Sequence, residues 1–166
     1  YVMTAMRIGW YKVYHPLAFY ATYFTVRADE FDASLMCSGK EVVRSKIREL
    51  ESLGNNISAK DRNVLTILEV VNEMYSRGFG FVPIDLYKSD ATRFLITGNG
   101  IRPPLNALSG LGTAAANAIA EARRDGEFLS VDDLKNRAKL SKTVIEILQQ
   151  NGCLKGLPES SQMSFF

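Results

Sequence analysis

The stretch LSGLGTAAANAI, Leu108 to Ile119, places two glycines before an alanine-rich helix, a combination that suits the binding of an anion. Gly110 and Gly112 flank one leucine, and glycine lets the backbone turn sharply and lets another molecule approach without a Cβ in the way. The alanines that follow have nearly the best helix propensity, and the start of a helix exposes unpaired N–H groups and a partial positive charge. Backbone amides and positive charge together favour a phosphate or another anion.

This pattern fits the turn of a helix-hairpin-helix motif, which holds a DNA phosphate through backbone amides without reading the base sequence. The candidate DNA-binding residues of the turn are Gly110, Leu111, Gly112 and Thr113. The same glycines would also suit a tight turn between two packed helices, with the alanines allowing close contact. The residues of this stretch alone leave both interpretations open.

A second segment, SVDDLKNRAKLSKTVIEILQQNG, shares the organisation of helix, tight turn and helix. The pattern predicts helices over Asp132 to Ala138 and Lys142 to Asn151, joined by the turn Lys139-Leu140-Ser141. Ser141 is a plausible N-cap and Gly152 a plausible terminator of the second helix. The two segments form a weak internal duplication, which favours a tandem helix-hairpin-helix.

Basic residues are concentrated in the second segment with no acid among them. Such a run is usually an ordinary solvated face, but beside a phosphate-binding hairpin it favours contacts to the DNA backbone. The candidate DNA-binding residues of this cluster are Lys135, Arg137, Lys139 and Lys142.

The sequence carries no convincing catalytic or metal-binding constellation. Its one histidine, His15, precedes a proline, where a break or cap is more common than a general base. The acids at Asp29 to Asp32 and at Asp132-Asp133 lie at predicted helix starts, where carboxylates favour the helix dipole. No Walker loop, nucleophile elbow or Cys-His pairing is present. If the parent protein is an enzyme, we expect its chemistry upstream of this chain.

Composition is that of an ordinary globular protein. The 166 residues are 46% hydrophobic and 23% charged. The net charge of +2 is too small for the overall charge to indicate a nucleic-acid partner. Cys37 and Cys153 have no partner at ligand spacing, which predicts two free thiols. Arg7, Lys12 and the His15-Pro16 break interrupt the apolar N-terminal stretch, so we expect a soluble, cytoplasmic protein.

Helical patterns dominate the first half of the chain. Four helices are predicted, over Tyr1 to Tyr14, Leu17 to Arg27, Lys40 to Leu53 and Ala59 to Arg77. His15-Pro16 separates the first two, Gly54 and Gly78 end the others, and Ser58 is the N-cap of the fourth. The first two helices are apolar around most of their circumference and need neighbours to cover them. The chain begins with an apolar pattern already under way, which is typical of a C-terminal fragment of a longer protein.

A small β element is predicted between the helical regions. The runs FGFVPIDLY and TRFLIT are β-branched or aromatic, and Gly98-Asn99-Gly100 has turn chemistry, so we expect two or three strands. Pro103-Pro104 ends the element. The predicted fold is mainly α: a helical segment, a small β element, a tandem helix-hairpin-helix and a flexible C-terminal tail.

Several stretches together resemble one family. The segments RIGWYKVYHPLAFYATYFTVRADEFD, IDLYKSDATRFLITGNGIRPPLNALSGLGTAAANAIAEARRDGEFLS and QMSFF are similar, in that order, to the C-terminal part of the PolC-type replicative DNA polymerase III alpha subunit of Gram-positive-type bacteria. The resemblance covers essentially the whole chain. It implies that residues 1 to about 75 end a fingers region and that residues 76–157 bind duplex DNA.

The resemblance also implies what the rest of such an enzyme supplies. The parent would be a DNA-directed DNA polymerase with a proofreading exonuclease and a need for Mg²⁺, and its catalytic palm carboxylates would precede Tyr1. We therefore expect this chain to be inactive alone and to need no cofactor of its own. Double-stranded DNA, the sliding clamp and other replisome subunits are its expected partners, and no membrane is.

The last residues, 158–166, correspond by the same resemblance to a tail that binds the sliding clamp. The family ends in a peptide of the form Gln-Leu-x-Leu-Phe. Gln162 and Phe166 match it, Met163 and Phe165 replace the two leucines, and Ser164 is the free position. Both replacements keep an apolar side chain, so they can still fill a pocket.

Two readings of other classes compete with a polymerase. Paired helix-hairpin-helix motifs also occur in sequence-independent DNA-binding modules of repair and recombination proteins, and a scaffold fragment could use the hairpins only to pack helices. Binding to both the clamp and DNA would favour the polymerase, and binding to DNA alone would favour the module. Binding to neither would favour the scaffold.

Overall fold

The computed structural model describes residues 1–160, which are mainly helical with one small sheet. Within these residues the α-helices are α1 (Val2–Tyr14), α2 (Pro16–Val26), α3 (Ala33–Met36), α4 (Lys40–Ser52), α5 (Ala59–Ser76), α6 (Thr113–Ala122), α7 (Val131–Arg137) and α8 (Lys142–Gln150). The strands are β1 (Gly80–Phe81), β2 (Leu95–Thr97) and β3 (Gly100–Arg102). Within the described residues, the predicted mainly α fold with a small β element is confirmed.

Serine side chains fix the starts of three helices. The hydroxyl oxygen of Ser58 accepts a hydrogen bond from the Asp61 amide at 3.1 Å, as predicted for α5. Ser130 and Ser141 cap α7 and α8 in the same way. Sequence periodicity missed α3, because its four residues make a single turn that is too short to show a period.

The sheet has the strand order β1-β3-β2 in the described part of the chain. β2 and β3 pair antiparallel across the predicted glycine turn, whereas β1 lies parallel to β3. The predicted small β element is confirmed, and within the run FGFVPIDLY its strand is β1. Further along this run the Asp85 side chain accepts hydrogen bonds from the amides of Tyr87 and Lys88 at 2.8 and 2.9 Å and so forms a turn.

Aromatic rings join the helical half of the chain to the sheet. Phe24 on α2 is fully buried, and its ring centroid lies 5.4, 5.5 and 5.6 Å from those of Phe31, Phe81 and Phe94. The buried side chains form one continuous core from Tyr20 to Leu154. This core continues across residue 75, so the boundary that the resemblance implies there stays a prediction about function.

A polar network holds α1, which buries none of its side chains against residues 1–160. Glu73 accepts hydrogen bonds from Lys12 at 2.8 Å and from Tyr20 at 2.6 Å, and Arg77 donates to the Lys12 carbonyl at 2.9 Å. Burial alone would raise the pKa of Glu73, but these two hydrogen bonds, together with the positive charges of Lys12 and Arg77, outweigh it and lower that pKa. Trp10 is half exposed.

Both cysteines are free thiols, as predicted. Burial raises the pKa of Cys37 to about 12 and that of Cys153 to about 11, so neither is a reactive thiolate near neutral pH. Among residues 1–160, no helix is long and apolar enough to cross a membrane.

Replacing Phe24 with alanine should test the aromatic core. We expect Phe24→Ala to lower the free energy of unfolding by about 3–5 kcal/mol, because it removes a fully buried ring and leaves a cavity. Urea titration measures the change, and Val26→Ala is the control, because Val26 lies on the same helix and is 80% exposed. Equal losses for the two variants would contradict this account of the core.

Candidate nucleic-acid interface

The first hairpin has a left-handed turn followed by a helix. Gly110 has φ +86°, Leu111 is buried, and Gly112 is the extended N-cap of α6 with φ −69° and ψ 160°. A 3₁₀ turn, Leu105–Ala107, stands where a full first helix was expected. The Pro103-Pro104 pair accounts for this difference, because too few residues remain between it and the turn for a longer helix.

The two glycines differ in their conformation and in what surrounds them. A Cβ on Gly110 would lie 2.9 Å from Cδ1 of Ile147 on α8, so this glycine permits both the left-handed backbone and a close helix contact. Gly112 has an ordinary φ, and a Cβ there would meet no heavy atom of the described residues within 4 Å. Only Gly112 therefore leaves open space that a ligand could use.

The second hairpin repeats the backbone of the first. Lys139, with φ +51°, takes the place of Gly110, and Leu140 is buried like Leu111. Ser141 has φ −72° and ψ 160°, nearly the values of Gly112. The internal duplication is therefore present in the geometry although the second turn lacks glycines.

Buried residues follow each turn at the same spacing. Ala116 and Ile119 lie five and eight positions after Leu111, and Ile145 and Leu148 lie five and eight positions after Leu140. All four are buried. In each hairpin the buried leucine and the two buried residues five and eight positions after it face the core. They orient the helix so that its start lies at the surface.

The helix starts differ in what their amides bind. The Val131 and Asp132 amides of α7 donate to the carbonyls of Pro158 and Glu159 at 2.9 and 3.2 Å. Ser141 caps α8, whereas no side chain of the described residues caps α6, which begins at the exposed Thr113. The first hairpin thus has the more open set of amides for a phosphate.

The predicted basic cluster divides into free and engaged side chains. Lys135 and Lys139 are exposed, and Lys142 lies 3.7 Å from Glu146 in an exposed pair that contributes little. All three can still reach a phosphate.

Arg137 differs from the prediction that groups it with these lysines. It lies 3.3 Å from Asp133, and its guanidinium donates to the carbonyls of Ala122, Gly126 and Glu127. It also lies 4.6 Å from the ring centroid of Phe128. These contacts make Arg137 a structural link between the two hairpins, and its donors have little capacity left for DNA.

Some predicted residues lie outside this geometry. The clamp-binding candidates Gln162, Met163, Phe165 and Phe166 lie outside the described residues. Among residues 1–160, no group of three or more His, Cys, Asp or Glu side chains could hold a metal ion.

Comparisons with known proteins bear on the same region. The family model described as the helix-hairpin-helix motif matches residues 78–163. Proteins named DNA polymerase III PolC-type from Clostridium perfringens, Caldanaerobacter subterraneus and Bacillus subtilis are 60%, 56% and 48% identical to this chain over 166 residues. The match covers 100% of this chain but only 12% of each relative.

The left-handed residue of the second turn yields a stability test. We expect Lys139→Gly to be more stable than Lys139→Ala by about 1 kcal/mol, because only glycine adopts this backbone without strain. Lys135, inside α7, is the matched control, and there we expect glycine to be less stable than alanine by about 0.5–1 kcal/mol. Thermal or urea unfolding of the four variants measures both differences. The same order at both positions would contradict the equivalence of the two turns.

Proposed function

This chain belongs to the helix-hairpin-helix family, and we propose that it grips duplex DNA as part of a replicative DNA polymerase of the PolC type. The observation that carries the proposal is the open start of α6, where backbone amides follow a left-handed turn and no side chain of the described residues caps them. Backbone amides bind phosphate but carry no base information, which suits a protein that must move along any sequence.

The candidate DNA-binding residues fall into three roles in this proposal. Gly110 and Leu111 build the first turn, and the amides after Gly112, beginning with Thr113, hold a phosphate. Lys135, Lys139 and Lys142 add charge at the second hairpin. Arg137 joins the hairpins and contributes to binding by holding them in register.

The relatives favour a polymerase over a repair or recombination module. The three reported above match the full length of this chain, and all three are named as DNA polymerases. We propose that the longer protein is a DNA-directed DNA polymerase of the cytoplasm, that residues 1–75 end its fingers region, and that residues 76–157 form its duplex-binding region. Its Mg²⁺-dependent chemistry and any proofreading exonuclease are not assigned to this chain, which we expect to be inactive alone.

We further propose that the tail, residues 158–166, tethers the enzyme to a sliding clamp within the replisome. The carbonyls of Pro158 and Glu159 accept hydrogen bonds from the Val131 and Asp132 amides of α7, which anchors the start of this tail to the hairpin region. Seven residues follow Glu159, and they would span at most roughly 23–25 Å if fully extended. Met163, Phe165 and Phe166 would each contribute about 1.5–3 kcal/mol on full burial, less the cost of ordering the peptide.

The two contacts would reinforce one another. A short peptide binds a pocket only moderately, but an enzyme that already holds the same duplex makes the clamp contact effectively intramolecular. Gln162 would set the register of the peptide through its amide. Modest affinity at each site would thus produce strong tethering.

A bulky side chain at Gly112 should weaken DNA binding without unfolding the protein. We expect Gly112→Leu to lower duplex affinity about equally for unrelated sequences, because it covers backbone amides in a space that the fold leaves open. Fluorescence anisotropy with two duplexes of different sequence measures this effect. Gly112→Ala is the control, since its Cβ would meet no heavy atom of the described residues within 4 Å and adds no capping group, so its duplex affinity should stay near that of the unchanged protein.

Full duplex affinity in Gly112→Leu would contradict phosphate binding at α6. A loss for one sequence but not the other would also contradict it, because that result requires contacts to bases.

Removal of the tail should separate tethering from folding. We expect deletion of Gln162 to Phe166 to abolish clamp binding and to leave the melting temperature and duplex affinity almost unchanged. A pull-down on purified clamp, together with a thermal melt, measures both. A large fall in stability with clamp binding intact would show instead that the two terminal rings belong to the core.

A further inference from the structure

An open cleft of about 530 Å³ separates the first hairpin from a second wall that lies outside the matched family region. One wall is the turn from Leu108 to Thr113. The other contains the segment 28–32 and the side chains of Lys60 and Val64 on α5. Any phosphate at the start of α6 would lie beside this cleft and would feel the charges of both walls.

The wall that faces the hairpin is rich in acid. Asp29, Glu30 and Asp32 all line the cleft. Glu30 accepts a hydrogen bond from Asn63 at 2.9 Å, and Asp32 accepts from the Ser34 amide at 2.9 Å, but neither carboxylate pairs with a cation within the described residues. These carboxylates would repel a DNA backbone.

Lys60 also lines the cleft, and its positive charge is opposite in sign to the charges of these acids. It is exposed and has no ion-pair partner within 4.0 Å among residues 1–160. It also lies in the first turn of α5, where the helix dipole disfavours a cation, so its charge does not serve to stabilise the helix.

We propose that Lys60 contacts the DNA backbone across this cleft, at the phosphate held by the α6 amides or at its neighbour on the same strand. The proposal rests on the proposed function, since it presumes a duplex on the hairpins. It extends the DNA interface from the helix-hairpin-helix region to α5. Lys60 and the hairpin then act on one strand from opposite sides of the cleft, and the acids on the wall of Lys60 keep the strand from moving deeper into it.

Salt dependence of duplex binding by the full-length protein tests this inference. Each lysine that contacts phosphate releases counterions, so Lys60→Gln should reduce the slope of log K against log salt by about one. Arg62→Gln is the matched control, because it removes the same charge from the same helix. Arg62 is two positions on, which places it on the other side of α5, and it is absent from the cleft lining. The salt slope of Arg62→Gln should equal that of the unchanged protein.

A second variant tests the opposing acids. Asp29→Asn should raise duplex affinity, most strongly at low salt, because it removes a repulsive charge from the cleft. Thermal melts of the three variants confirm that each is folded, which is expected since all three side chains are exposed.

Equal slopes for Lys60→Gln and Arg62→Gln would overturn the role of Lys60, and so would an Asp29→Asn affinity at or below that of the unchanged protein. The Gly112→Leu variant separates this failure from failure of the proposed function. If Gly112→Leu still weakens binding, the hairpin grips DNA without Lys60. If the unchanged protein shows no salt-dependent duplex binding, both proposals are wrong.

Discussion

The left-handed residue in each hairpin turn is the constraint on which the interface depends. Gly110 and Lys139 reverse the chain within one residue, so that the next residue, a leucine, points into the core. The extended residue after it then starts a helix at the surface. A right-handed residue at either position would turn the leucine away from the core and would redirect the amides that we propose for phosphate binding.

The sequence predicted well those features that depend on local chemistry. Ser58 and Ser141 mark helix starts through hydrogen bonds to residues three positions on, and such patterns can be recognised without knowledge of the fold. The glycine turn between β2 and β3 was predictable for the same reason. Because Gly110 and Gly112 lie in one short motif, the first hairpin could be identified before any tertiary contact was known.

Features that depend on distant contacts were not predictable in this way. The parallel pairing of β1 with β3 joins Gly80 to Gly100 across twenty positions, and no local pattern encodes it. Arg137 belongs to a basic run in the sequence, yet the fold turns it toward three backbone carbonyls. Lys60 lies in the first turn of a helix whose sequence carries no DNA-binding motif, and only the folded chain brings it to the cleft beside the hairpin.

Amide NMR shows most directly whether the amides at the start of α6 hold a DNA phosphate while the second hairpin adds charge. A ¹⁵N-labelled protein titrated with a duplex should show shifts for Thr113 and Ala114 of the first hairpin, together with Lys142 and Thr143 of the second. The same amides should shift for a duplex of unrelated sequence, since they contact only phosphate. Shifts confined to other surfaces, such as the exposed face of α4, with these four amides unmoved, would contradict the account.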